Sequence, residues 1–245
     1  MLTTKLAAIL AGLAACAVTS LAATTPAANR AVAPVLAVFY SFDQTPSPDT
    51  VAHMKEELAR ILAPTGMELA WRSLADNHGS ENYPEVVVMR FRGACEISTP
   101  IIYNELGFES GIAAGPRELA ETQRSNGKML PFGDVECDQL RRYLSSTVAA
   151  ERPANRNGIF GRAMARVVAH EIYHMLTGSA AHAKQGIARA AHSRQDLTAR
   201  KFDFAKPETE WLREWHNRAQ LAGEALSPID IASSSANESQ SVDRQ

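Results

Sequence analysis

The sequence is short of the features that point to a charged or membrane partner. It has no basic block, and its formal net charge is −2. Without a cationic stripe there is no electrostatic footprint for nucleic acid or for an anionic membrane surface. Cysteine is scarce, with three in 245 residues. Neither Cys95 nor Cys137 stands in a C-x-x-C spacing, which argues against a cysteine-liganded zinc. No internal repeat is visible, so a repeat architecture is not expected. Beyond residue 23 no stretch is long and apolar enough to span a membrane.

What is present reads as one exported domain with short end segments. Residues 1–23 have the layout of a signal peptide. Lys5 is the positive start, Leu6 to Ala15 the short apolar core, and Ser20-Leu21-Ala22 a cleavage site. Leu13-Ala14-Ala15-Cys16 also fits a bacterial lipobox, with Cys16 as the lipidated residue. The mature protein is therefore expected to be secreted or periplasmic, or a lipoprotein anchored at Cys16. Residues 24–33, rich in Ala, Thr and Pro, read as a linker, and 34–226 as the folded domain. Residues 227–245, rich in Ser, Asn and Asp, are expected to be disordered. Removal or lipidation of Cys16 leaves two cysteines. In an oxidising compartment these suggest a Cys95–Cys137 disulfide, although two buried thiols are the alternative.

The domain alternates strand and helix signals. Val35 to Ser41 is a β-branched, apolar run expected as a buried strand. Ser47 followed by Pro48 marks an N-cap and a first helical position. The helix runs through Met54, Leu58 and Ile61 until Pro64 and Gly66 stop it. Met67–Leu74 and Val86–Arg92 are two further strands. Residues 93–127 give mixed signals, with a short strand conceivable at Ile101–Tyr103. Met129–Cys137 reads as a strand beside a cleft, and Asp138 as the cap of a following helix. Glu151 to Gly158 reads as a link. Glu208–Ala225 is a last helix with Trp211, Trp215 and Leu221 on its inner face. By pattern alone this order is α+β or α/β.

The chemistry is concentrated between Phe160 and His182. His170-Glu171-Ile172-Tyr173-His174 is an H-E-x-x-H pattern inside a segment, Arg162–Thr177, uninterrupted by Gly or Pro. Met164, Val168, Ile172 and Met175 recur at helical spacing as an apolar stripe, and the two histidines lie off it. Residues four apart project from one helix face, so both imidazoles can hold one metal ion, with Glu171 beside it as a general base. Gly178 suits the end of that helix. A chain turning back there brings His182 to the metal as third ligand. His192, Asp196 and Glu210 are the other candidates for that role. His53, His78 and His216 read as surface residues. The pattern also allows an ordinary helix with two surface histidines.

The HEIYH segment, Gly178 and His182 resemble the zincin metallopeptidases, and in particular the metzincin branch. That branch has H-E-x-x-H-x-x-G-x-x-H; here Gly178 and His182 come one and two residues late, and no Met follows Met175 to form a Met-turn. The stretch from about Val35 to Phe204 is also similar to poorly characterised secreted bacterial proteins. Those carry an HELYH-like helix, a downstream His and a G-x-A segment, here Gly186-Ile187-Ala188. The zincin resemblance implies a single α+β domain, a small mixed sheet packed on helices with the H-E-x-x-H helix in the site. It implies Zn²⁺ held by His170, His174 and His182. It implies a peptide or protein substrate cleaved by a zinc-bound water with Glu171 as base, and an edge strand that pairs with the extended substrate. Tyr103, Tyr173 and Arg166 are conceivable second donors to the oxyanion. The alternative is a non-enzymatic zinc-binding module of the cell envelope. Oligomeric state is left open.

Overall fold

The computed structural model describes residues 35–76, 79, 83–97 and 118–225. The leader, the linker 24–33, the 227–245 tail, Cys16, His78 and the Ile101–Tyr103 segment lie outside the described residues. Among the described residues no helix is long and apolar enough to cross a membrane.

The fold is α+β, built on a five-stranded mixed sheet. Strand β1 (Val35–Gln44) leads into helix α1 (Pro48–Leu62), then β2 (Glu68–Ser73) and β3 (Glu85–Ala94). The hairpin β4 (Ala120–Ser125) and β5 (Lys128–Glu136) follows. Helices α2 (Cys137–Ala149), α3 (Pro153–Thr177), the short α4 (Arg194–Thr198) and α5 (Lys206–Ala225) complete it. The strand order is β2-β1-β3-β5-β4. All neighbours are parallel except β4, which runs antiparallel to β5 at one edge.

Alternation along β3 explains how the sheet is buried. Val87, Met89 and Phe91 are buried, while Arg90 and Arg92 on the opposite face pair with Asp134 of β5. Period-two alternation of this kind places one face on a core and the other toward solvent. The covered face carries α1 and α3. Lys55 of α1 donates to the Tyr40 hydroxyl of β1, and Met164, Val168 and Ile172 of α3 are fully buried. Ser47 caps α1 as the sequence indicates, its hydroxyl accepting from Thr50 N at 3.3 Å.

Helix α3 is longer than its sequence signal. It starts at Pro153 and so absorbs the expected link Glu151–Gly158. Gly158 and Gly161 cost helix stability in isolation, about 1 kcal/mol each, but Gly161 serves packing. A Cβ there would stand 2.5 Å from the Thr50 carbonyl oxygen, so its absence lets α1 and α3 approach backbone to backbone. Helix α2 begins at Cys137 with Glu136 in the cap position. Asp138 is therefore not the cap; it lies in the first turn and accepts from Ala94 N at 3.3 Å. Cys95 and Cys137 form the expected disulfide, with Cα atoms 4.9 Å apart, and tie the end of β3 to the start of α2.

Three further expectations are corrected. Met129–Cys137, the strand beside the cleft, is not the edge strand that the zincin resemblance implies: among the described residues β5 is internal and β4 lies outside it. Leu221 is not on the inner face of α5, being 67% exposed. That face is set by Leu212 and His216, four residues apart, so His216 is buried rather than a surface residue. His53 is partly covered, its ring lying against Gly158.

Candidate metal centre

Helix α3 ends at Thr177, and Gly178 takes a left-handed conformation (φ 63°, ψ 18°) that turns the chain back at once. The turn puts the Ser179 carbonyl on His174, whose Nδ1–H donates to it at 2.7 Å. The loop then continues to Ile187, whose carbonyl accepts from His170 Nδ1–H at 2.7 Å. A carbonyl only accepts, so both imidazoles carry their proton on Nδ1 and leave Nε2 with a lone pair. Those two Nε2 atoms face one another 3.0 Å apart.

His182 completes the group. Its ring centroid is 5.2 Å from that of His170 and 4.8 Å from that of His174. Ligand atoms of the three residues all lie within 4.8 Å of one another. Three histidines so placed could hold a metal ion, and the chemistry of the set fits one. Neutral imidazoles with Nδ1 engaged by backbone carbonyls are the usual form of histidine ligands. Burial also keeps His170 neutral, pushing its pKa down to about 3, and lowers that of His174. His182 is exposed at the mouth, while His174 is buried.

The other candidate ligands are not in this group. His192 turns its Nε2–H to the Ile187 carbonyl at 2.9 Å. Asp196 closes a capping box with Ser193 at the start of α4 and pairs with Arg189. Glu210 lies on α5 beside Lys206. Arg166 is also removed from the site as an oxyanion donor. It is fully buried, paired to Glu57 at 2.7 Å, and donates to the carbonyls of Asp196 and Ala199. Tyr173 packs, its ring 5.9 Å from that of Phe204. Tyr103 lies outside the described residues.

Glu171 follows His170 on the helix and faces the edge strand. Its Oε2 accepts from Thr122 Oγ1 of β4 at 2.6 Å. Burial pushes its pKa up to about 7; the Thr122 hydroxyl opposes this, and Glu118 and Glu121 reinforce it. Thr122 was not legible as a site residue. The usable signal was Asn126-Gly127 just after it. This pair forms the two-residue turn of the β4–β5 hairpin, with both residues at positive φ.

His170, Glu171, His174 and His182 open on one cleft of about 910 Å³. Thr122 and Arg124 of β4 line one side, Gln139 and Tyr143 of α2 another, and Ala190 and His192 of the loop a third. No family model, no curated protein and no solved structure matches this chain.

Proposed function

We propose that this protein is an exported zinc metallohydrolase of the zincin type, most simply a peptidase acting on peptide or protein substrates. One observation carries the reading. Two neutral imidazoles, each committed to a backbone carbonyl through Nδ1, aim unshared Nε2 lone pairs at one another across 3.0 Å. No proton stands between them, so their approach is repulsive unless a cation is shared. A third imidazole is within reach of the same point. Three histidines with an open fourth side facing a cleft are the ligand set of a catalytic rather than a structural zinc.

Zinc held there supplies Lewis acidity, which lowers the pKa of a water toward neutrality and polarises a carbonyl. The chain's own residues supply the rest. Thr122 engages Glu171 Oε2 and leaves Oε1 to accept the proton of the attacking water and pass it to the leaving amine. The Ser179 and Ile187 carbonyls hold His174 and His170 in the tautomer that ligates. Edge strand β4 offers main-chain groups to an extended substrate lying over Glu171.

The test is metal content and hydrolysis measured together. Wild type should carry about one zinc per chain, His182→Ala should lose it, and Glu171→Gln should keep it. With a substrate found from a peptide library, Glu171→Gln should lose at least about a hundred-fold in rate. Zinc without any hydrolysis, and a Glu171→Gln variant identical to wild type, would favour the non-enzymatic envelope module. No zinc in wild type, even when supplied, sinks the proposal.

A further inference from the structure

The Ile187 carbonyl serves two histidines. It accepts from His170 Nδ1 at 2.7 Å and from His192 Nε2 at 2.9 Å. A carbonyl oxygen has two lone pairs, and here both are occupied. The two rings stand almost perpendicular, at 89°, with centroids 5.3 Å apart. His192 is itself tied down: its own carbonyl accepts from the Tyr143 hydroxyl of α2 at 2.9 Å. Two more anchors fix the same loop, Ile187 N donating to the Asp203 carbonyl and Ala183 N to the Ala188 carbonyl.

From these contacts we infer that His192 is a positioning residue of the metal centre, not one of its ligands. Its Nε2–H holds the Ile187 peptide plane, and that carbonyl in turn fixes the tautomer and ring angle of His170. The convergent group of ligand atoms comprises His170, His174 and His182 without His192, so His192 does not close the centre as a fourth ligand, and the side facing the cleft stays open. Tyr143 extends the chain of contacts to α2, so the cleft wall and the ligand geometry are coupled. The inference rests on the metal centre proposed above.

Zinc affinity measured by competition with a chelator tests it without any substrate. His192→Ala should still take up one zinc per chain at saturation, but with Kd raised about 10–100-fold, the usual effect of losing a partner that orients a ligand. His192→Gln keeps an N–H donor near the position of Nε2 and should stay within about three-fold of wild type. Tyr143→Phe, which removes only a hydroxyl, should raise Kd by a smaller factor. Cobalt(II) bound in place of zinc should give the same absorption envelope in all of these proteins.

A wild-type Kd for His192→Ala overturns the inference and leaves the metal centre intact. Loss of stoichiometric metal from both His192 variants, with a changed cobalt spectrum, overturns it in the other direction by making His192 a ligand. If His192→Ala does not fold, Tyr143→Phe decides, and an unchanged Kd counts against the inference. Wild type that takes up no zinc removes the centre and this role together.

Discussion

Thr122 Oγ1 on the edge strand lies 2.6 Å from Glu171 Oε2 on the central helix, and 3.3 Å from the Glu171 carbonyl. The hydroxyl thus joins the strand where a substrate would lie to the carboxylate proposed as base. Thr122→Val keeps the shape and removes the donor. Zinc content should be unchanged, while kcat should fall about ten-fold or more because the carboxylate is no longer held in place. Thr122→Ser should recover most of it. Equal losses in the Ser and Val variants would mean that packing, not the hydroxyl, matters.

Glu57 and Arg166 form a buried ion pair that joins α1 to α3, with Arg60 also bonded to the same carboxylate. Arg166 further holds the carbonyls of Asp196 and Ala199, in the segment that follows the loop carrying His182 and Ile187. Removing Glu57 strands the fully buried Arg166 guanidinium, whereas removing Arg166 leaves Glu57 still paired with Arg60. Glu57→Leu is expected to cost about 3–5 kcal/mol in urea unfolding. A cost below ~1 kcal/mol would show that the pair is dispensable.

The Cys95–Cys137 disulfide closes a segment with a sequence separation of 42 residues. Chain entropy assigns such a closure roughly 4 kcal/mol. Denaturant unfolding with and without reductant should differ by about that amount. Cys95→Ala/Cys137→Ala should match the reduced protein.

At Gly161 a Cβ would meet the Thr50 carbonyl at 2.5 Å and His53 Cβ at 3.0 Å. Helix propensity favours alanine over glycine by about 1 kcal/mol, yet Gly161→Ala should destabilise by about 1–3 kcal/mol through overpacking. Thermal unfolding gives the sign directly. A stabilised variant would mean that α1 and α3 can separate without penalty.

Stability should fall on acidification below neutrality. Burial lowers the pKa of His216, with Glu68 opposing the shift, so the folded form disfavours its protonation. The unfolded chain then binds more protons, and stability rises with pH across this window. The contribution is complete above the ordinary histidine pKa of about 6.5 and is lost as pH falls from there toward the lower folded value. Unfolding of the metal-free protein between pH 7 and 5 should show this slope, and His216→Gln should reduce it.

The sequence carried the local signals well. Ser47-Pro48 gave the start of α1, and the β-branched runs gave β1 and β3. The spacing of His170 and His174 gave one helix face, because such spacing is a property of helix geometry alone. The reading failed where distant contacts override local preference. Gly158 and Gly161 look like helix breakers until α1 is packed against them. Edge strand β4, Ala-Glu-Thr-Gln-Arg-Ser, has no apolar alternation to announce it, because only one of its positions, Thr122, is buried.

The shared helix face of His170 and His174, with Glu171 beside them, was therefore determined by the sequence itself, as was the pairing of the only two cysteines in the domain. The tertiary structure decided the rest. It brought His182, and not His192, into the cluster with His170 and His174, turned His216 inward, buried Arg166 against Glu57, and set Thr122 on Glu171. The reason is physical. A helical repeat fixes neighbours three and four residues apart, whereas these choices depend on loops and strands whose partners are tens of residues away.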